Sequence, residues 1–218
     1  MTPSILIAGA TGNTGRAVVQ TLPKLLQSSS TLTGYCIITL TRNSSSPVAR
    51  ELAKLPRVEV IKQNWVEITA NWLHEHYLTF HLNALNAGVN SPQFNNLQWT
   101  SLQPNIFLIF VMSPTAEFIK KYRKTGEQNT LRLILSKDAP VGIINSNEVS
   151  VITAHLLSRD DTSAYNKSKY ILNRPDDITG MQIVSMVEQH IGMPVKDVSY
   201  KDLSFIDMVY EDKYTETK

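Results

Sequence analysis

The residues most suited to chemistry in this sequence form a glycine-rich turn close to the N-terminus. The segment Gly9-Ala10-Thr11-Gly12-Asn13-Thr14-Gly15 follows a short apolar run and precedes a helical pattern. Glycine at the first two positions allows a tight turn whose backbone N–H groups approach a pyrophosphate on the helix N-terminus, and glycine at the third allows close helix–strand packing. We therefore predict a dinucleotide-binding turn, the alternative being an ordinary strand–helix connection. The expected binding residues are Gly9, Thr11, Gly12, Asn13, Thr14 and Gly15.

The end of the second predicted strand favours one nicotinamide cofactor over the other. An NAD site usually has an Asp or Glu there, which accepts a hydrogen bond from the ribose 2′-hydroxyl. This sequence instead has Thr41-Arg42-Asn43-Ser44. A guanidinium and small polar side chains suit a 2′-phosphate, which accepts charge-assisted hydrogen bonds. The sequence therefore predicts NADP(H) at Arg42, Asn43 and Ser44, the alternative being a solvated loop arginine.

Three successive strand–helix pairs are predicted to position this turn. The strands cover Ser4–Ala8, Tyr35–Thr41 and Val58–Ile61, and the helices begin near Asn13 or Thr14, at Pro47 (through Leu55) and at Ile68 (through Tyr77). Apolar strands of this kind are typical of a buried parallel sheet, and an apolar face recurring at helical spacing indicates a helix packed on it. In the first helix Pro23 removes one backbone hydrogen bond and is expected to cause a kink.

The regular alternation stops after Tyr77. The segment Leu78–Val89 is predicted as a helix with no apolar strand before it, so the fourth strand of a complete Rossmann sheet is missing from the pattern. Further elements are predicted as strands near Leu97–Leu102, Leu131–Leu135, Val141–Ile144, Tyr170–Asn173 and Val195–Tyr200, with helices near Ala116–Lys124, Asn147–Leu157 and Ile178–Ile191. These elements predict an α/β fold with a Rossmann-like, doubly wound, mostly parallel sheet and a small C-terminal α/β lobe.

Together with the glycine turn and Thr41-Arg42-Asn43, the segment Trp99-Thr-Ser-Leu-Gln-Pro104-Asn-Ile-Phe107 makes the sequence resemble the NmrA-like family of atypical short-chain dehydrogenases. The resemblance continues through Ile143–Leu157 and Asn173–Gly192. It implies an NADP(H)-binding Rossmann core in residues 1–105, shortened after residue 77, and a C-terminal part, residues 106–218, that completes the sheet and forms a small substrate lobe. It also implies one of two functions: a reductase of a small organic metabolite, or a redox-sensing regulator or pseudoenzyme that acts through a protein partner.

Three departures from the family bear on catalysis. The chain is shorter than usual members, and the middle segments that carry a catalytic Tyr or Lys in active members are mostly absent. A literal Tyr165-Asn-Lys-Ser-Lys169 imitates the proton-donating pair of these enzymes, but its place before a late strand predicts a structural role in the C-terminal lobe. Asn145 stands where the family often has an aspartate. The sequence therefore identifies no catalytic residue.

Other polar and aromatic residues are assigned structural roles. His74 and His76 flank Glu75 on a predicted helix, where positions two apart point to different faces, so we predict no metal site. The isolated histidines and the pairs Asp160-Asp161 and Asp176-Asp177 are expected in solvated or capping positions. Trp99, Asn105, Ile106 and Phe107 are weak candidates for a substrate pocket, with packing as the alternative. The isolated histidines are His81, His155 and His190, and the other two tryptophans, Trp65 and Trp72, are expected to pack in the core.

The composition excludes several classes of protein. Apolar residues make up 42% of the 218 residues, and the net charge of +2 is spread along the chain without a basic block, which argues against a disordered chain and a nucleic-acid partner. No apolar run is long enough for a membrane span, and no cleavable leader is visible, so a cytoplasmic protein is expected. The single cysteine, Cys36, is expected to be a buried thiol.

Overall fold

The computed structural model describes residues 3–64 and 98–204. Strands alternate with helices in residues 3–64, and pairs of successive strands alternate with helices in most of residues 98–204. The strands are β1 Ser4–Ala8, β2 Cys36–Thr41, β3 Val58–Lys62, β4 Thr100–Pro104, β5 Ile106–Phe107, β6 Leu131–Leu133, β7 Val141–Ile144, β8 Ser168–Leu172, β9 Asp177–Ile178 and β10 Val198–Tyr200. The helices are α1 Asn13–Ser28, α2 Pro47–Leu52, α3 Leu108–Thr125, α4 Ser146–Leu157 and α5 Gly180–Ile191. The predicted α/β class with mostly parallel strands is confirmed.

The chain forms two compact units that interleave in sequence. The first combines Met1–Gln103 with Ser146–Leu172, and the second combines Pro104–Asn145 with Asn173–Lys218. The division predicted from the sequence, 1–105 and 106–218, is contiguous and stays a prediction about the domains.

A parallel sheet in the order β1-β2-β3 is the centre of the first unit. The middle strand β2 is buried from Ile37 to Thr41, because β1 and β3 cover its edges and α1 covers one face, and its β-branched sequence suits that position. Helix α1 places Val18, Val19, Leu22 and Leu26 in the core. Cys36, expected to be a buried thiol, begins β2 and is partly buried.

Helix α4 lies alongside α1 and runs in the same direction. The Ser150 hydroxyl donates a hydrogen bond to the Thr14 carbonyl in the first turn of α1, at 2.9 Å. At the other end, the Asp160 carboxylate accepts hydrogen bonds from the hydroxyls of Ser29 and Thr31, just after the last turn of α1. Ala154, which is fully buried, belongs to the same core as α1. Residues from two distant parts of the chain therefore complete one core.

The second unit has its own core, formed mainly by α3, α5 and short strands. Parallel pairs β5–β7 and β6–β10 and the antiparallel pair β7–β9 bring buried residues together. The core residues include Val111, Phe118, Leu131, Leu133, Leu135, Ile143, Ile183 and Val187. Helix α5 ends at Ile191, and Gly192 in a left-handed conformation (φ 76°) closes its last turn as predicted.

The largest differences from the predicted helix boundaries are at the end of α2 and the start of α3. Helix α2 ends at Leu52 because the N–H groups of Lys54 and Leu55 bond three residues back, in a tightened turn that does not continue the helix. Helix α3 begins at Leu108, well before the predicted start at Ala116, and contains Pro114 within it. The predicted helices 68–77 and 78–89 lie outside the described residues.

Candidate functional site

The glycine-rich turn is a closed connection between β1 and α1. Gly9 has a positive φ of 71°, which residues with a side chain rarely adopt, and its carbonyl accepts a hydrogen bond from the Gly12 N–H at 3.0 Å. A β-carbon on Gly15 would lie 2.3 Å from the Gly9 carbonyl oxygen, so only glycine fits there. This geometry shows a tight turn at Gly9 and a close approach of the helix at Gly15, and the binding of a cofactor by these glycines stays a prediction.

The first turn of α1 leaves backbone donors unused by the helix. Gly12 caps the helix without a side chain, and the first bond to the cap carbonyl is the one from the Arg16 N–H at 2.9 Å. The N–H groups of Asn13, Thr14 and Gly15 precede that bond, and no acidic residue stands in the first turn. Partial positive charge therefore accumulates at a helix end that suits an anion such as a diphosphate.

The loop after β2 holds its conformation through its own side chains. The Thr41 hydroxyl accepts a hydrogen bond from the Asn43 N–H at 3.2 Å, and the Asn43 side-chain oxygen accepts one from the Ser45 N–H at 3.0 Å. Arg42 is exposed and has no hydrogen-bond or ion-pair partner within residues 3–64 and 98–204. Asn43 is therefore a loop-forming residue as well as a predicted ligand, and Arg42 is the cation that this loop offers to a ligand.

Sequence patterns did not reveal two interactions that border the turn. The fully buried Ser150 of α4 donates a hydrogen bond to the Thr14 carbonyl. Arg16 forms an ion pair with Glu51 of α2 at 3.0 Å. A serine within a helix carries no signal of a partner so distant in sequence. For Arg16, the sequence shows only that opposite charges occur on two successive predicted helices, and this does not specify that Arg16 and Glu51 form a pair.

Tyr165 contacts a segment that is anchored next to the C-terminal end of α1. The Arg159 guanidinium lies 5.2 Å from the centre of the Tyr165 ring, and the neighbouring Asp160 is bonded to residues after the C-terminal end of α1. A helix of 16 residues is about 24 Å long, so this anchor lies about that far from the turn. Tyr165 and Lys169, predicted to lie in the C-terminal lobe, both belong to the first compact unit.

The remaining candidates show structural contacts or solvent exposure. Asp161 accepts a hydrogen bond from the Ser163 N–H at 2.8 Å, and this bond, with one from the Ser163 hydroxyl, lowers the pKa of its carboxyl. His155 and His190 are exposed in the last turns of α4 and α5. Trp99 is partly buried and binds the 166–167 segment through its backbone. His74, Glu75, His76, His81, Trp65 and Trp72 lie outside the described residues.

The predicted pocket residues Asn105, Ile106 and Phe107 have local partners in the second unit. The Asn105 side-chain oxygen accepts a hydrogen bond from the Ile106 N–H at 3.0 Å. Phe107 precedes the first turn of α3, and its ring centre lies 6.3 Å from that of Phe110. Asn145 follows β7 directly. Whether these residues contact a substrate stays a prediction.

The second unit also contains a cavity of about 260 Å³. Its apolar wall includes Phe118 and Leu131, and its polar rim includes Arg132, which pairs with Asp202 at 2.7 Å. Hydrogen bonds from the Ser204 hydroxyl and N–H, with smaller contributions from Ser199 and Arg132, hold the pKa of Asp202 well below its usual range. Asp202 is therefore ionised at neutral pH and forms an ion pair with the Arg132 guanidinium.

Solved structures with the same arrangement of elements settle the fold. The NADPH-dependent quinone oxidoreductase QOR2 of Escherichia coli, in complex with NADPH, is 15% identical, and the match covers 98% of this chain and 83% of that chain with a TM-score of 0.62. NmrA, a negative transcriptional regulator, in complex with NADP, is 11% identical and matches over 91% of this chain and 73% of its own with a TM-score of 0.58. The chain has a Rossmann-type fold.

A third Rossmann protein with the same fold is an epimerase. UDP-glucuronic acid 4-epimerase from Bacillus cereus, in complex with UDP-glucuronic acid and NAD, is 10% identical, with coverage of 90% of this chain and 85% of that chain and a TM-score of 0.58. No protein-family model and no curated protein sequence matches the chain. The predicted likeness to NmrA is thus confirmed at the level of the fold. Among the described residues, no helix has the length and apolar character needed to cross a bilayer.

Proposed function

We propose that this chain binds a nicotinamide dinucleotide at Gly9–Gly15 and prefers NADP(H) to NAD(H). The observation that carries the proposal is the first turn of α1, where a closed glycine turn presents backbone N–H groups to solvent with no side-chain cap and no acid. The three Rossmann structures compared above hold NADPH, NADP or NAD, which supports this class of ligand. The pyrophosphate would lie on Gly12, Asn13 and Thr14.

The preference for NADP(H) rests on the loop after β2. The position that would be acidic in an NAD site belongs to Thr41-Arg42-Asn43-Ser44, and Arg42 is exposed and unpaired among the described residues. A 2′-phosphate beside Arg42 would gain charge-assisted hydrogen bonds that a 2′-hydroxyl cannot match. Asn43 and Ser44 would complete that contact.

Titration calorimetry with NADPH and NADH tests this assignment. Charge-assisted hydrogen bonds contribute roughly 1.5–3 kcal/mol, so Arg42→Ala should weaken NADPH binding by about tenfold to hundredfold and barely change NADH binding. Lys169→Ala is the matched control, because it removes an exposed positive charge from the same unit but outside the loop after β2. Equal losses for both cofactors in Arg42→Ala would refute the assignment.

For the activity, we propose an NADPH-dependent reductase of a small organic metabolite. The bound cofactor would supply the hydride, and the protein would align the substrate with it and exclude water. An assay of NADPH oxidation tests this activity. The absorbance of NADPH is monitored in the presence of each member of a panel of carbonyl and enone compounds. Turnover of any member of the panel above the rate without protein would support it.

A second candidate function is a regulator that binds NADP(H) without turning it over and acts through a protein partner. The contact of Tyr165 with Arg159 favours it, because Arg159 precedes Asp160, which bonds to residues after the C-terminal end of α1 and so holds this segment far from the glycine turn. If activity is found, Tyr165→Phe should leave kcat within about threefold, whereas loss of an essential acid typically costs 10² to 10⁴. A hundredfold fall in kcat with unchanged NADPH affinity would identify Tyr165 as the proton donor.

A further inference from the structure

The ion pair between Arg16 and Glu51 joins the first turn of α1 to α2. Arg16 Nη2 lies 3.0 Å from Glu51 Oε2, and the Arg16 backbone N–H bonds to the Gly12 carbonyl, one turn from the glycine cap. The two side chains are 42% and 56% exposed, so both charges are reachable from solvent. A ligand at the start of α1 would therefore lie near two opposite charges rather than near an isolated cation.

Both helices begin at the same edge of the parallel sheet. Helix α1 follows the end of β1, and α2 follows the end of β2 after the Arg42–Ser46 loop. Glu51 stands one turn into α2, after Pro47 at its start. In Rossmann sheets the cofactor lies along this edge, where the elements that carry Arg16, Glu51 and Arg42 all begin.

We propose that Glu51 limits the preference for NADP(H) by neutralising Arg16, which would otherwise serve as a second cation for the 2′-phosphate. This inference rests on the proposed function, since it concerns the same cofactor site. The 2′-phosphate is doubly charged, so it gains less attraction from a guanidinium that is already paired with a carboxylate. The ribose 2′-hydroxyl of NAD(H) is neutral, so its binding is insensitive to this effect.

The size of the effect follows from the exposure of the pair. Interactions between partly exposed charges are screened by water and contribute little, which corresponds to about two- to fivefold in affinity. Glu51→Gln should therefore tighten NADPH binding by about two- to fivefold and leave NADH binding unchanged. The gain should shrink as salt is added, because the groups involved are close to solvent.

The experiment is calorimetric titration of four proteins with both cofactors: wild type, Glu51→Gln, Arg16→Gln and the double variant. The gain from Glu51→Gln should be larger with Arg16 present than in the Arg16→Gln background. Glu59→Gln on β3 and Lys24→Gln later in α1 are matched controls, since they make the same charge changes at exposed positions of the same unit. Thermal melts by circular dichroism establish that each variant is folded.

The outcomes separate this inference from the proposed function. If the wild-type protein binds neither cofactor, the proposed function fails and this inference fails with it. If NADPH binds but Glu51→Gln leaves the ratio of NADPH to NADH affinity unchanged, only this inference is overturned. An equal gain with and without Arg16 would also overturn it, because Glu51 would then act on the phosphate directly and not through Arg16.

Discussion

Two helix N-termini, one in each unit, treat the same chemical problem in opposite ways. At the start of α5, the Thr179 hydroxyl accepts a hydrogen bond from the Gln182 N–H, and the Gln182 side chain accepts one from the Thr179 N–H at 2.8 Å. At the start of α1, Gly12 offers no side chain and the first turn holds no acid. The donors of α5 are satisfied within the protein, whereas those of α1 are left to solvent or to a ligand.

The difference indicates which helix serves structure and which serves binding. A capping box stabilises a helix by about 0.5–2 kcal/mol, so its absence at α1 gives up stability that a serine or aspartate would provide. Helix α4 offsets this loss of stability, because its residues Ser150 and Ala154 hold α1 in the core of the first unit. The comparison can be tested by changing each N-terminus in turn.

The largest effect is expected from Gly15→Ala. Its β-carbon would lie 2.3 Å from the Gly9 carbonyl oxygen and 2.9 Å from the Gly9 carbonyl carbon, and backbone atoms cannot move aside without opening the turn. We expect a loss of about 3 kcal/mol or more in the free energy of unfolding, together with loss of NADPH binding. Urea unfolding measures the first and calorimetry the second.

Gly34→Ala is the control for this change, because nothing lies within 4 Å of its added β-carbon. It should alter the free energy of unfolding by no more than about 0.5 kcal/mol. A Gly15→Ala protein as stable as Gly34→Ala would show that the turn is open in solution, and the comparison between the two N-termini would lose its basis.

A smaller effect on stability, but a large one on binding, is expected from Gly12→Asp. Gly12 has an ordinary extended backbone (φ −76°, ψ 168°), and its β-carbon would be 3.3 Å from the Gly9 carbonyl oxygen, so the aspartate is accommodated after a slight shift. Its carboxylate would cap α1 and repel a pyrophosphate. We expect stability within about 1 kcal/mol of wild type and NADPH affinity lower by at least about hundredfold.

Gly12→Val separates the two causes of that loss, because it adds bulk without charge. It should also fold and fail to bind the cofactor. Retention of wild-type affinity in both variants would mean that α1 begins with an ordinary structural turn, and the proposed cofactor site would be wrong.

The smallest effect is expected from Thr179→Ala, which removes the capping side chain of α5. The free energy of unfolding should fall by about 1 kcal/mol, measured by urea unfolding, while NADPH affinity stays within experimental error. Thr179→Ser keeps the hydroxyl and should restore most of the loss. A Thr179→Ala protein that unfolds like wild type would show that this box contributes nothing, contrary to the contrast drawn with α1.

The local elements of the first unit were predictable because their signals lie within short windows. Strand β1 and the start of α1 were predicted where the structure has them, since an apolar run, three glycines and an amphipathic pattern define both. The binding roles of Gly9–Gly15 and Arg42 stay predictions. The packing of α4 on α1 was not predictable, because Ser150 and Thr14 are 136 residues apart and neither has an unusual neighbourhood.

The start of α3 shows a different limit of sequence reasoning. The run Ile106–Val111 is apolar without a clear period, and Pro114 suggests a helix that begins later. In the structure, α3 begins at Leu108, and Val111 is buried in the second core whereas Ile109 and Phe110 are exposed. The start of α3 is therefore determined by the burial of residues such as Val111 in the second core, although Pro114 locally favours a helix that begins later.

The pairing of α1 with α4 also determines when the first unit is able to fold during synthesis. The ribosome delivers the glycine turn and β1–β3 first, but the helix that packs against α1 emerges only after the whole of α3 and β7 has been made. Until then, the apolar face of α1 lacks the contact with Ala154. Contacts between such distant segments close slowly. Truncation before residue 146 would leave this part of the apolar face of α1 uncovered, and exposed apolar surface of this kind favours aggregation.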